Sequence, residues 1–348
     1  CWSAIPVLAL SNLILMSNSP VNDARGTNDQ QPIVAVCGTT NIDTFVGLDV
    51  FPAPGETVIG TRGVQGLGGK GANQAAAAAH MGVRTLLLSA VGPKESAENL
   101  PDPLADLALK ELQQHGVDTT HVVRVHQPTG QAFIMNDAAG ENIIIVTSGA
   151  NESISPIACG KALQGEGGVE NIKVLLAQGE LTPAHSAELP QLAAELPGAR
   201  FVLNLAPVTT KDKALLKAAD PLIVNELEAA DVTEMPRDTP FEQLVEELRR
   251  VAESAVVTLG PKGAAIITQD DVEFVASPPS PHVVDTTGAG DAFSGTLAAA
   301  LAQGADLVEA ARLGAVAGSL ATRSAGAAGS YASESAIRAL HKEFLQAK

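Results

Sequence analysis

The chain has 348 residues, enough for a full core in one large domain or two, and it is 45% hydrophobic but only 3% aromatic. A formal net charge of −17 argues against nucleic acid or an anionic membrane as partner, because neither is steered toward an acidic surface. Cys1, Cys37 and Cys159 are too few and too far apart for a disulfide framework or a C-x-x-C metal site, so the chain reads as cytoplasmic.

Residues 1–16 carry two apolar runs but no basic flank, and they are too short and polar to span a bilayer. Residues 17–31 are polar and rich in Asn, Asp and Gln. We expect 1–31 to be a disordered segment or an extension, with Met16 a candidate start. Folded sequence should begin with a buried-type strand over 33–38 that ends in glycine. Thr39-Thr40-Asn41-Ile42-Asp43 follows. Strand alternation puts Asn41 and Asp43 on one side, as turn formers or as contacts to a ligand bearing hydroxyls. Segment 46–64 mixes Val, Phe, Thr and Ile with Pro52, Pro54 and Gly55, which suggests short strands of a small sheet.

Gly66-Leu67-Gly68-Gly69-Lys70-Gly71-Ala72-Asn73-Gln74 opens an Ala-rich helix over 71–81. It formally contains G-x-G-x-x-G, but it does not follow the first strand. No acidic residue ends a strand about 20 positions on, as a dinucleotide site requires. Lys70 is followed by Gly71 instead of Ser or Thr, which excludes a Walker A loop. What remains is a flexible turn, or backbone that a polar ligand can approach, with Lys70 and Asn73 as hydrogen-bonding groups.

A strand is expected over 85–91, an amphipathic helix over 103–115, strands over 122–125 and 131–135, and a hairpin through 137–142 into 143–146. Strands at 174–178, 200–204, 221–224, 255–259 and 263–268 then alternate with helical stretches at 185–196 and 241–254. That alternation implies right-handed βαβ units and a parallel sheet covered on both faces, with ligands beyond the carboxyl ends of the strands. Asn225-Glu226-Leu227-Glu228 reads as a helix N-cap with first-turn acids, although Glu228 could instead hold a metal-bound water near phosphates. Residues 258–263, Thr-Leu-Gly-Pro-Lys-Gly, form a hairpin turn or a place where a flat ligand or phosphate approaches.

The most informative stretch is Val283-Val284-Asp285-Thr286-Thr287-Gly288-Ala289-Gly290-Asp291-Ala292-Phe293-Ser294-Gly295, read as a strand end, a small-residue turn and a helix start. Unpaired first-turn N–H groups and the helix dipole make an anion hole there. Asp291 is then either an ordinary first-turn acid or a base that takes a proton from a hydroxyl beside phosphate charge. No histidine has metal-ligand spacing, and no G-x-S-x-G elbow or 20–50-residue repeat is present.

In this order the segments resemble the ribokinase-like (PfkB) carbohydrate kinases over roughly 33–330. The runs Gly68 to Ala75 and Asp285 to Asp291 carry that likeness. The resemblance implies one three-layer α/β/α domain over 32–340 with a mostly parallel central sheet, lid segments near 46–64 and 122–146, and a tail at 341–348. It implies ATP-dependent phosphorylation of D-ribose at its primary (O5) hydroxyl to ribose 5-phosphate. Deoxyribokinase or fructokinase activity, or a catalytically silent sugar- or nucleotide-binding regulator, are the alternatives.

By the same resemblance Asp291 is the catalytic base and Gly288, Ala289 and Gly290 are the anion hole. Asn41, Ile42, Asp43, Gly69, Lys70, Gly71, Ala72, Asn73 and Glu180 meet the sugar. Asn225, Thr258, Leu259, Gly260, Pro261, Lys262 and Gly263 meet ATP. Glu228 lies near Mg2+, and Asp285, Thr287, Arg323, Gly326 and Ser330 surround an activating K+. A homodimer through the β-lid is also implied. Three segments depart from the family pattern: a longer 93–102 loop, Gly314 where His or Asn is frequent, and a longer 324–330 run.

Overall fold

The computed structural model describes residues 31–61, 63–94, 100–139, 141–166 and 169–346. The expectation for 1–30, and the centre of the 93–102 loop, lie outside the described residues. Among those residues a nine-stranded sheet has the order Val272–Val275, Ala264–Ile267, Ala255–Thr258, Leu222–Asn225, Arg200–Asn204, Ile172–Gln178, Ile33–Cys37, Arg84–Val91, Val122–Arg124. Pairing is parallel from Ala255–Thr258 through Val122–Arg124, and antiparallel across the two strands at the other edge.

Period-two alternation explains the layers. Val34, Val36, Val174, Leu176, Val202, Ile223 and Val256 join one buried cluster. Their strand neighbours Ile33, Ala35, Cys37, Leu175, Ala177, Leu203, Leu222 and Val257 join a second. Both faces are therefore apolar and both are covered by helices, which is why the strands read as continuous hydrophobic runs. No helix among the described residues is long and apolar enough to cross a membrane.

A second, four-stranded sheet has the order Val64–Gly68, Asn41–Gly47, Gly130–Asn136, Asn142–Thr147. The lid is thus shifted from the segments expected near 46–64 and 122–146. Residues 48–61 form no strand, since Pro52, Pro54 and Gly55 interrupt the ladder. Val122–Arg124 pairs with Ser89–Val91 at the edge of the large sheet. Local β-propensity made it a strand but could not name its partner.

Two other expectations fail. Val283 and Val284 form no strand; they are 62% and 61% exposed, and the segment is held by the Val284 amide donating to the Thr322 carbonyl at 2.8 Å. The sheet ends at Val272–Val275, and Val283 and Val284 do not join its open edge. The supposed tail at 341–348 is largely the end of helix Glu334–Gln346, with His341 buried and 3.4 Å from Glu309.

The contact that positions the site joins two Ala-rich helices, Lys70–His80 and Ala289–Ala302. A Cβ on Gly295 would lie 2.3 Å from the Gln74 carbonyl and 2.7 Å from Ala77 Cβ. Small side chains let the backbones meet and make up for the scarcity of aromatic residues. Gly295→Val is expected to destabilise the fold by about 2 kcal/mol or more, read from denaturant melts. Gly66→Ala, where a Cβ meets nothing within 4 Å, should stay within about 0.5 kcal/mol of the parent. Equal stability of the two variants would refute the tight contact.

Candidate active site

The carboxyl ends of the Ile33–Cys37 and Ile172–Gln178 strands face the starts of both Ala-rich helices. A Cβ on Gly71 would sit 2.4 Å from the Gly38 carbonyl carbon, so the first helix packs directly on the turn after the first strand. Ala72 is buried in the core there, its amide donating to the Thr39 carbonyl at 2.9 Å.

Asp291 lies in the first turn of Ala289–Ala302 and is only 5% exposed. It caps nothing in that helix. Its Oδ2 accepts from Asn73 Nδ2 at 3.2 Å, its Oδ1 accepts from Gln74 Nε2 at 2.9 Å, and Lys70 Nζ lies 3.8 Å away. The Asp291 charge raises the Lys70 ammonium above its ordinary range; burial opposes this, while Glu180 and Glu228 reinforce it. A buried carboxylate held by two amides beside an ammonium can receive a proton from a hydroxyl brought against it.

Around this pair sit the other polar groups. Asn41 and Asp43 share one side of the Asn41–Gly47 strand, as alternation requires, and Ile42 faces the core, fully buried. The Ile42 side chain is therefore core packing. Asn41 Oδ1 accepts from Asn151 Nδ2 at 2.7 Å. A Cβ on Gly68 would fall 1.9 Å from Asp43 Oδ1, so Asp43 lies flat over the glycine run. Gly69 has φ 84°, a conformation that favours glycine. Glu180 accepts from the Thr39 hydroxyl and, at 2.9 Å, from the Lys70 amide. Asp43 Oδ1 and Asn73 Oδ1 are buried without a protein partner, which suits acceptors for ligand hydroxyls. Burial first, then Glu180 and Asp291, push the Asp43 carboxyl up to about 6.

The residues directly before Asp291 reach a cavity of about 370 Å³ lined by Thr258, Gly260, Pro261 and Gly263, by Ala289 and Gly290, and by Phe293 and Gly318. Leu259 and Lys262 are absent from its lining; Leu259 packs against the core and Lys262 is exposed. Gly288 caps the helix at φ 75°, and a Cβ there would fall 2.8 Å from Ala327 Cα. Asn225 and Glu228 form a reciprocal capping box, each side chain taking the other's amide at 2.8 Å. Burial raises the Glu228 carboxyl, against the Asn225 amide and Lys70, so Glu228 also faces the site electrostatically.

A pfkB family carbohydrate kinase model matches residues 32–334. The chain belongs to this family. It is an ATP-dependent carbohydrate kinase with the ribokinase-like fold. It is 32% identical over 300 residues to a ribokinase of Haemophilus influenzae, covering 84% of this chain and 93% of that protein. It is also 32% identical over 287 residues to a deoxyribokinase of Salmonella typhi, covering 80% and 88%. The solved Arabidopsis thaliana ribokinase complexed with ribose and ATP superposes with a TM-score of 0.77 at 30% identity, covering 90% and 99% of the two chains.

In this kinase Asp285 ties the helix-start turn to the 323–330 segment. Its Oδ1 accepts from the Thr287 amide and its Oδ2 from the Gly326 amide, both at 2.9 Å. Burial alone would raise the Asp285 carboxyl, but the hydrogen bonds from Gly326, Thr287 and Thr286 outweigh it and hold it below the usual range. The Ser330 hydroxyl donates to the Ala327 carbonyl at 2.7 Å, and Arg323 Nε is buried without a partner. Among the described residues no group of three or more His, Cys, Asp and Glu could hold a metal ion by itself.

Sequence reading gave no role to Gln74, Gln178, Asn204, Asn151 or Tyr331. A signal existed for two of them, because Gln178 and Asn204 are polar ends on otherwise apolar strands. Tyr331 is buried behind Gly288, and burial with the Asp291 charge pushes its hydroxyl far up.

Asp43 yields a pH prediction. Between pH 3.8 and about 6 the folded protein keeps a proton on Asp43 that the unfolded chain has released, so stability falls as pH rises through that window. Asp43→Asn removes this slope. Its stability relative to the parent should be about 2 kcal/mol greater at pH 8 than at pH 4 in denaturant melts. The same difference at both pH values would exclude the buried, repelled carboxylate.

Proposed function

We propose that the kinase transfers the γ-phosphoryl group of ATP to the primary (O5) hydroxyl of D-ribose, giving ribose 5-phosphate and ADP. One observation carries the reading: the buried Asp291 carboxylate faces a polar cluster suited to a polyol, and Ala289 and Gly290 just before it line a cavity. Asp291 takes the hydroxyl proton as the sugar oxygen bonds to phosphorus and the bridging bond to ADP breaks. Asn41, Asp43, Gly69, Lys70, Gly71, Ala72, Asn73 and Glu180 form the sugar side, the last through hydrogen bonds that also fix Thr39 and Lys70.

Gly288, Ala289 and Gly290 open the helix whose unpaired first-turn N–H groups face developing phosphate charge. Thr258, Gly260, Pro261 and Gly263 frame the cavity, with Leu259 and Lys262 between them in the chain and Asn225 paired to Thr258 on the neighbouring strand. Glu228 would hold Mg2+ through water, where the cation supplies charge neutralisation between phosphates. Asp285, the Thr287 turn, and the 323–330 segment with Arg323, Gly326 and Ser330 would hold K+. Asp285 fits that task as a carboxylate that the Thr287 and Gly326 amides hold in its charged form.

A homodimer through the small sheet is supported by its Asn142–Thr147 edge, where Ile143, Ile144, Ile145 and Val146 are all exposed. A cytoplasmic setting supplies the ATP consumed, and Cys37 and Cys159 are free thiols. Deoxyribose is the second reading, because the Salmonella typhi deoxyribokinase matches at the same 32% identity and one hydroxyl separates the two sugars.

A sugar panel read by ADP release, with and without K+, tests these assignments. D-ribose should give the highest kcat/KM, and K+ should raise it. If deoxyribose or fructose is preferred, the ribose assignment is lost; if no sugar stimulates release, the sugar reading falls. Asp291→Asn should lose about 10²–10⁴ of kcat while still binding sugar.

A further inference from the structure

Behind Asp291 lies a set of buried amides that the proposed reaction does not use directly. Gln74 is wholly buried, and its Nε2 group donates both to Asp291 Oδ1 at 2.9 Å and to Asn204 Oδ1 at 2.8 Å. Its Oε1 accepts from Gln178 Nε2 at 3.0 Å. Asn204 Nδ2 donates in turn to the Ile223 main-chain carbonyl at 3.2 Å. Gln178 and Asn204 are buried as well.

The direction of every bond in this chain is forced. A main-chain carbonyl can only accept, so Asn204 must turn its NH2 toward Ile223 and its oxygen toward Gln74. Gln74 must then present its NH2 to Asn204, and the second hydrogen of that group points at Asp291. Gln74 Oε1 then faces Gln178, which meets it with its own NH2. Two adjacent strands of the large sheet thereby set which partner Asp291 meets on the helix packed above them.

The geometry points to Gln74 as a positioning residue for Asp291, held in its donor orientation by Asn204 and Gln178. Resting on the reading of Asp291 as the base, Gln74 fixes the carboxylate rotamer between turnovers. The remaining Oδ2 edge, bonded to Asn73 at 3.2 Å, stays available to a substrate hydroxyl. Gln74 is wholly buried and acts on a substrate only through Asp291.

Gln74→Met, which keeps length but removes the amide, tests this in the full-length enzyme. We expect kcat to fall about tenfold or more while KM for the sugar stays within about threefold. Gln178→Met, one bond removed from Asp291, should give the same kcat-only loss in smaller measure, and it serves as the test if Gln74→Met does not fold. An unchanged kcat in the folded variants, or a loss carried mainly by KM, overturns the assignment. Asp291→Asn run in parallel separates the two ideas. If it keeps turnover, the base reading fails, whereas an inactive Asp291→Asn beside a fully active Gln74→Met removes only the positioning role.

Discussion

A carboxylate that is almost wholly buried must be surrounded by donors, because an unpaired charge in the interior costs far more than the fold can spare. Asp291 meets that demand with two amides and an ammonium that all come from the first helical turns of Lys70–His80. The helices must therefore approach closely and in one register. Gly295 against the Gln74 carbonyl and Gly71 against Gly38 permit this, and a side chain at either point would move Asp291 away from its partners.

The surrounding charge is unfavourable by itself. Asp43, Glu180 and Glu228 converge on the neighbourhood of Lys70, in a chain whose net charge is −17. One ammonium is shared among several carboxylates, and the strain is visible in Asp43, whose proton is retained well above the ordinary range. Such crowding is tolerable where ligand hydroxyls and phosphate-bound cations take up the excess acceptors and charge. It is also where stability is given up for chemistry.

Several residues turned out to serve two readings at once. Asn225 is the N-cap that local sequence suggested, Glu228 completes it as a capping box, and Glu228 still faces Lys70 across the site. For Asp291 the two readings excluded each other: it sits in the first turn yet caps nothing, because its side chain turns inward to Asn73 and Gln74. Between Asn41 and Asp43, the period of two along a strand sends the Ile42 side chain to the core.

Much of the molecule was determined by the sequence alone, wherever the physics is local. Apolar runs broken by Gly and Asn marked most strands of the large sheet, and the glycine runs at 66–71 and 288–290 marked backbone that a ligand or another helix could approach. The polar residues beside those glycines, Asn41, Asp43, Lys70, Asn73 and Asp291, were legible because short motifs place them at strand and helix ends. Tertiary structure alone decided which strand pairs with which, so Val122–Arg124 left the lid and Val283-Val284 lost its sheet. It also decided the amide chain through Gln74, Gln178 and Asn204, whose members lie up to 130 positions apart. Hydrogen bonds of that span carry no periodic or motif signal, since only the packing of a helix on two strands brings the groups within 3 Å of one another.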